Sequence, residues 1–174
     1  MTMRMQSARL GRRPGLLPGA VRQAGVGLIE VLIAVLVLSI GFIGMAALQA
    51  RSLSTNNSAM ARSMATVATY SILDAMRADL VNAKNGAYNS SATGAVVANA
   101  CPAAAGTLVS VQINQWCKTD LAPLGVSADT TGTITCTPVT GTNTANCTII
   151  VQFNDSRAAL GGSQTQQVVT QAML

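Results

Sequence analysis

Gly25-Val26-Gly27-Leu28-Ile29-Glu30 runs without a break into Val31–Leu48, an apolar stretch whose only polar side chains are Glu30 and Ser39. Its length suffices for a bilayer core, which takes about 20 apolar residues. The large apolar side chains together favour insertion by about 4–8 kcal/mol, against about 2.5–3.5 kcal/mol for one charge at the helix centre. Insertion therefore wins with Glu30 in place. A lone acid in a membrane helix is a functional-site candidate. The alternative is a glutamate that only reaches toward the headgroups.

Charge is divided along the chain. The 174 residues carry a formal charge of +5, and Arg4, Arg9, Arg12, Arg13 and Arg22 all precede Gly25, where there is no acid. After Gly25, six bases (Arg51, Arg62, Arg77, Lys84, Lys118, Arg157) balance six acids (Glu30, Asp74, Asp79, Asp120, Asp129, Asp155). The basic character belongs to residues 1–25 alone. By the positive-inside rule this segment stays in the cytoplasm and the C-terminal part is exported. The apolar run outlasts the 7–15 residues of a secretory signal, and small-residue cleavage sites follow it only loosely, at Met45-Ala46-Ala47. Met1, Met3 and Met5 are alternative starts. The neutral remainder argues against nucleic acid, whose binding rests on several phosphate contacts by Lys or Arg.

The stretch Gly25–Glu30 resembles the start of the type IV prepilin family: a basic leader ending in Gly, an apolar residue, a small residue, Leu, Ile or Val, then Glu at the fifth mature position. Val26 and Gly27 stand where that family more often has Phe or Met and Ser or Thr. Val35–Gln49 resembles the stem of the PilV-like minor pilins (type IV pilus modification proteins). Ile72-Leu73-Asp74-Ala75-Met76-Arg77-Ala78-Asp79 resembles their second helical motif, and Cys147–Arg157 their closing strand, with Phe153 where Trp is common. The likeness is dense over the stem and patchy beyond it.

The resemblance implies an inner-membrane, single-pass subunit with a periplasmic C-terminal domain, later carried to the pilus at the cell surface. Prepilin peptidase would cut between Gly25 and Val26 and methylate the new α-amino group. Glu30 would pair with an α-amino group as subunits dock, relieving an unpaired buried ion that costs several kcal/mol. Partners would be the peptidase, other minor pilins, the major pilin and a large tip adhesin, in a complex that starts the fibre and presents the adhesin. Type II secretion minor pseudopilins share the N-terminal motif and are the alternative within this class; a membrane-anchored periplasmic enzyme or binding domain is the alternative outside it.

Past Gln49, Met60, Met64, Val67, Ser71/Ile72, Met76, Leu80 and Ala83 recur every three or four residues, predicting an amphipathic helix over residues 51–85. Residues 26–50 form the transmembrane and assembly helix, so one helix of about 80 Å runs from Glu30 to Lys84 at 1.5 Å per residue. Ser54-Thr55-Asn56-Asn57-Ser58 is its weak point, and Asn85-Gly86 its stop. Gly41 and Gly44 suit either close helix packing or local loosening.

Residues 86–174 read as a small disulfide-bonded β domain. Thr107–Val111, Gly132–Cys136, Cys147–Phe153 and Gln166–Thr170 are predicted strands, with loops at Ala87–Ala105 and Lys118–Thr131 and a turn at Gly161-Gly162. The fold class is α+β, type IV pilin-like: a long N-terminal helix packed on a small antiparallel sheet. Cys101, Cys117, Cys136 and Cys147 permit three connectivities. A two-residue turn at Gly141-Thr142 places Cys136 opposite Cys147, favouring Cys136–Cys147 and Cys101–Cys117. Zinc is disfavoured without His or a C-x-x-C pair. No metal, cofactor or catalytic residue is expected: the chain has no histidine, no glycine-rich phosphate loop follows a strand, and Asp120 and Asp129 lack calcium-loop spacing. Trp116 reads as an anchor against the neighbouring disulfide.

Overall fold

The structure, a computed structural model, describes residues 25–156 and 162–174, apart from the side chains of Ala92 and Thr93. The basic segment 1–24, Arg157 and Gly161 lie outside the described residues. Contacts divide the chain into two units, residues 1–42 and 43–174. Helix α1 spans Leu28–Ala78 and is long and apolar enough to cross a membrane. In the first unit it is exposed throughout, and the Ser39 hydroxyl is satisfied within the helix by donating to Val35 O at 2.7 Å.

In the second unit α1 packs on a four-stranded antiparallel sheet of order β1-β2-β3-β4 (β1 Val96–Val97, β2 Thr131–Pro138, β3 Ala145–Phe153, β4 Gln166–Met173). The layout is α+β. β3 alternates strictly, burying Ala145, Cys147, Ile149, Val151 and Phe153, while β4 is nowhere fully buried. The three longer strands occupy the segments expected from the sequence.

Thr107–Val111 is not a strand. Thr107 caps helix α4 (Leu108–Trp116): its hydroxyl accepts from Ser110 N at 3.2 Å while Ser110 Oγ accepts from Thr107 N at 3.2 Å. Thr, Leu and two Val gave the run its strand-like composition, but the reciprocal cap satisfies backbone donors at a helix start. The expected loops are also partly ordered. Ser90–Thr93 forms the single turn α3, a π-helical turn spans Cys117–Leu121, and a 3₁₀ turn spans Ala122–Leu124. Asn89 closes the β2 edge beyond the short β1: its side chain accepts from Cys136 N at 2.7 Å and donates to Cys136 O at 3.0 Å.

The expected single helix to Lys84 is broken. α1 ends at Ala78, Asp79 leaves helical geometry (φ −128°, ψ 53°), and α2 resumes over Leu80–Lys84. Asp79 takes Asn82 Nδ2 on both carboxylate oxygens at 2.9 Å and the Tyr88 hydroxyl at 3.0 Å. Tyr88 is fully buried, and its hydroxyl also meets the side-chain amide of Gln112. The break thus supplies the acceptor that a buried phenol needs. Asn85-Gly86 does stop the helix. Ala87 N bonds Asn82 O and Gly86 N bonds Ala83 O, with Gly86 at φ +76°, the left-handed geometry of a Schellman end.

The buried face of α1 differs from the expected stripe. Ala65, Ala68, Thr69, Ile72, Leu73 and Met76 are buried, whereas Met60 and Val67 are more than 60 % exposed and Ser71 is exposed. Hydropathy favours the larger side chains, but the sheet and α4 approach where alanines leave room. The Ser54–Ser58 stretch stays helical, with the Thr55 hydroxyl donating to Arg51 O and Ser58 held by the domain.

Candidate functional site

Gly25, Val26 and Gly27 are non-helical and exposed, and α1 starts immediately after them. The Gly27 carbonyl accepts from Glu30 N at 3.0 Å and Val31 N at 3.3 Å, which makes it the first acceptor of the helix. The Gly25–Val26 bond therefore lies in accessible irregular backbone, the conformation in which a peptidase can engage a chain. Glu30 falls in the first turn, where free backbone N–H groups favour a negative charge. Its side chain is exposed and is in neither of the ion pairs among the described residues, Arg62–Asp155 and Arg77–Asp74. Gly25, Val26 and Glu30 are thus brought together at one exposed helix start.

The four cysteines lie in the second unit, paired Cys101–Cys117 and Cys136–Cys147. Cys136 and Cys147 sit directly opposite on β2 and β3, with Cα atoms 4.0 Å apart. This is the register of the Gly141-Thr142 argument, yet the turn is different. Val139 N donates to Thr144 O and Thr142 N donates to Val139 O, so the loop holds four residues, Thr140–Asn143. Gly141 takes φ +80° at the third position of the turn 139–142, as a type II turn requires. Two- and four-residue loops centred on the same point give the same strand register, so the pairing survives the change of turn. With both pairs oxidised, no cysteine remains for zinc.

The contacts of Trp116 are with α1 and β2. Its Nε1 donates to Ala68 O at 2.8 Å, and its ring lies over Gly132 of β2. Asp120 and Asp129 have separate roles: Asp120 accepts from Ser71 Oγ at 2.9 Å, and Asp129 lines a cleft. Among the described residues no group of three His, Cys, Asp or Glu side chains is placed to hold a metal ion.

Sequence reasoning missed two buried polar clusters. Asp155, 7 % exposed, accepts from Ser58 Oγ at 2.5 Å and lies 3.6 Å from the Arg62 guanidinium. Its sequence signal was slight: a serine in a presumed weak stretch, 97 residues away. The other cluster is Tyr88 with Asp79 and Gln112. Burial first, and then the Asp79 carboxylate bonded to it, hold the Tyr88 phenol well above its usual titration range.

No protein family, curated protein or solved structure matches this chain. What sequence and structure define together is an α+β protein with one N-terminal helix able to cross a membrane and two disulfides in its second unit.

Proposed function

We propose that the chain is a minor subunit of a type IV pilus, of the PilV-like kind. The basic leader is removed by prepilin peptidase between Gly25 and Val26, and α1 anchors the protein in the inner membrane. The disulfide-bonded domain faces the periplasm until the subunit enters the fibre. Acting in small numbers with other minor pilins, it starts assembly, stays near the tip of the fibre and helps to present an adhesin.

One observation carries this reading. Gly25-Val26-Gly27-Leu28-Ile29-Glu30 joins a leader without acids to an apolar helix, and the proposed cut lies in exposed, non-helical backbone. The helix-on-sheet layout and the oxidised cysteines suit an exported pilin-like domain, since disulfides persist in oxidising compartments.

The test is cleavage. A Gly25→Leu variant retains its leader because a bulky side chain precedes the scissile bond. On immunoblots of membranes it then runs at precursor size while the wild type runs at mature size. Mature-size protein from the variant would overturn the assignment.

A further inference from the structure

The two edges of the sheet are treated differently. Along β2 the outward backbone has partners: β1 pairs with Thr131 and Gly132, Ser90 Oγ accepts from Ile134 N at 2.9 Å, and Asn89 takes both groups of Cys136. β4 is the other edge. Ala145 and Leu174 exchange both backbone bonds at 2.9 Å, and the register runs on without interruption from Asn146–Met173 to Phe153–Gln166. The even-numbered residues of β4 therefore bond β3, while Gln167, Val169, Gln171 and Met173 turn N–H and C=O to the free side. Among the described residues nothing bonds those outward backbone groups.

Natural proteins blunt a sheet edge with lysine, proline, a bulge or a covering segment. Gln166–Met173 holds no charged residue, no proline and no glycine, and its ladder with β3 has no bulge. α1 lies along this edge: Arg62 Nη2 donates to Gln166 Oε1 at 3.4 Å, and the Thr69 and Thr170 hydroxyls bond at 2.8 Å. Thr66 shares that flank. Tyr70, 54 % exposed, comes one step further round the helix, on the side away from Trp116. A chain laid beside β4 thus meets a row of free donors and acceptors with an aromatic surface next to it.

We propose that β4 takes a fifth strand: an extended, uncharged segment of a different protein subunit, whose side chains on the α1 side are apolar and pack on Tyr70. In this mode of recognition main-chain bonds supply affinity and alternate side chains supply specificity. A second copy fits less well. α1 runs in the direction of β4, with Arg62 by Gln166 and Thr69 by Thr170. Antiparallel pairing of β4 with its own copy would set the two α1 helices head to tail, which chains anchored in one membrane by that helix cannot adopt. Parallel pairing would turn the copy's outer row, with Gln167 and Gln171, onto Tyr70. The proposal rests on reading the chain as an assembly subunit.

The test uses the full-length chain in its own membranes, with the photo-crosslinker benzoylphenylalanine in place of Gln167 or of Gln171 and mass spectrometry of the products. Both probes should join one segment of one partner protein, at residues about four apart, because they stand about 13 Å apart along the strand. A helical partner would need about nine residues for that distance. Val169→Pro and Met173→Pro each delete an N–H that faces the free edge and none that bonds β3, a place where edge strands accept proline. Each should lower the yield by at least about tenfold, the equivalent of one main-chain hydrogen bond. Val169→Thr and Met173→Thr should leave it unchanged. Formation of both disulfides on non-reducing gels checks folding, and if the proline variants misfold, the spacing of the crosslinks decides alone. Crosslinks within this chain, to a second copy, to lipid, to partner residues eight or more apart, or to nothing would each overturn the fifth strand. So would unchanged yields in folded proline variants. The leader is scored by immunoblot of the same membranes. Normal cleavage with no crosslink removes the fifth strand alone, whereas an uncut leader removes the assembly-subunit reading beneath it.

Discussion

Trp116 Nε1 donates to the carbonyl of Ala68 at 2.8 Å, with both residues almost wholly buried. One contact thereby joins α4 to the C-terminal part of α1 and places the indole in the core. Only a small residue at 68 lets the ring approach the helix backbone so closely.

The same ring fixes the requirement at position 132. A Cβ on Gly132 would lie 2.2 Å from Trp116 Cη2 and 2.7 Å from Cζ3, too close for any real contact. Neither the indole, held by Ala68, nor the central strand β2 can move freely. Gly132→Ala should therefore destabilise the domain by about 1–3 kcal/mol, the usual cost of overpacking a core. Urea unfolding followed by near-UV circular dichroism would read it as a lower midpoint at unchanged slope. A midpoint equal to the wild type would mean that the strand and ring separate readily.

Tyr88 makes stability depend on alkaline pH. Its folded titration point is raised, so the phenol stays protonated in the native state while the unfolded chain ionises near pH 10. Its contribution is complete below about pH 10 and is lost as pH rises above that, at about 1.4 kcal/mol per pH unit. Comparing wild type with Tyr88→Phe by chemical denaturation from pH 8 to 11 isolates the effect. The wild type should show the steeper decline, and parallel slopes would refute the assignment.

Glu30→Gln keeps the shape and hydrogen bonding of the side chain while removing its charge. Cleavage at Gly25 should persist. If the proposed pilin reading holds, co-purification with other minor pilins and the number of fibres per cell should both fall, because the carboxylate proposed to dock the α-amino group is gone. Wild-type assembly by the variant would return Glu30 to a mere headgroup contact.

Gly41 and Gly44 meet nothing within 4 Å when a Cβ is built on either, and α1 stays helical through both. Nothing among the described residues requires them. Alanine at each should raise the stability of the isolated helix by up to about 1 kcal/mol, measured as helicity in detergent against temperature. If the glycines serve close packing with a second helix, the same variants should assemble less well. Unimpaired assembly would favour local loosening.

The sequence by itself determined the elements whose signal is local. An unbroken apolar run makes a helix whatever surrounds it, and alternation along residues 145–153 makes a strand. The Asn85-Gly86 stop was legible because a left-handed helix end selects glycine. The Cys136–Cys147 register was legible because the two loop lengths share a centre. At the candidate site, Gly25, Val26 and Glu30 were named from the sequence, since their relation is one of spacing along a single helix start.

Only the tertiary structure decided which face of α1 is buried, because close approach favours Ala65 and Ala68 over the bulkier Met60 and Val67. It also decided that α1 breaks at Asp79, where a buried tyrosine nine residues on needs an acceptor. Likewise, Ser58 and Asp155 are joined across 97 residues. Local propensity records what a residue prefers alone. These three outcomes turn on what a distant residue requires, and that requirement exists only once the chain has folded.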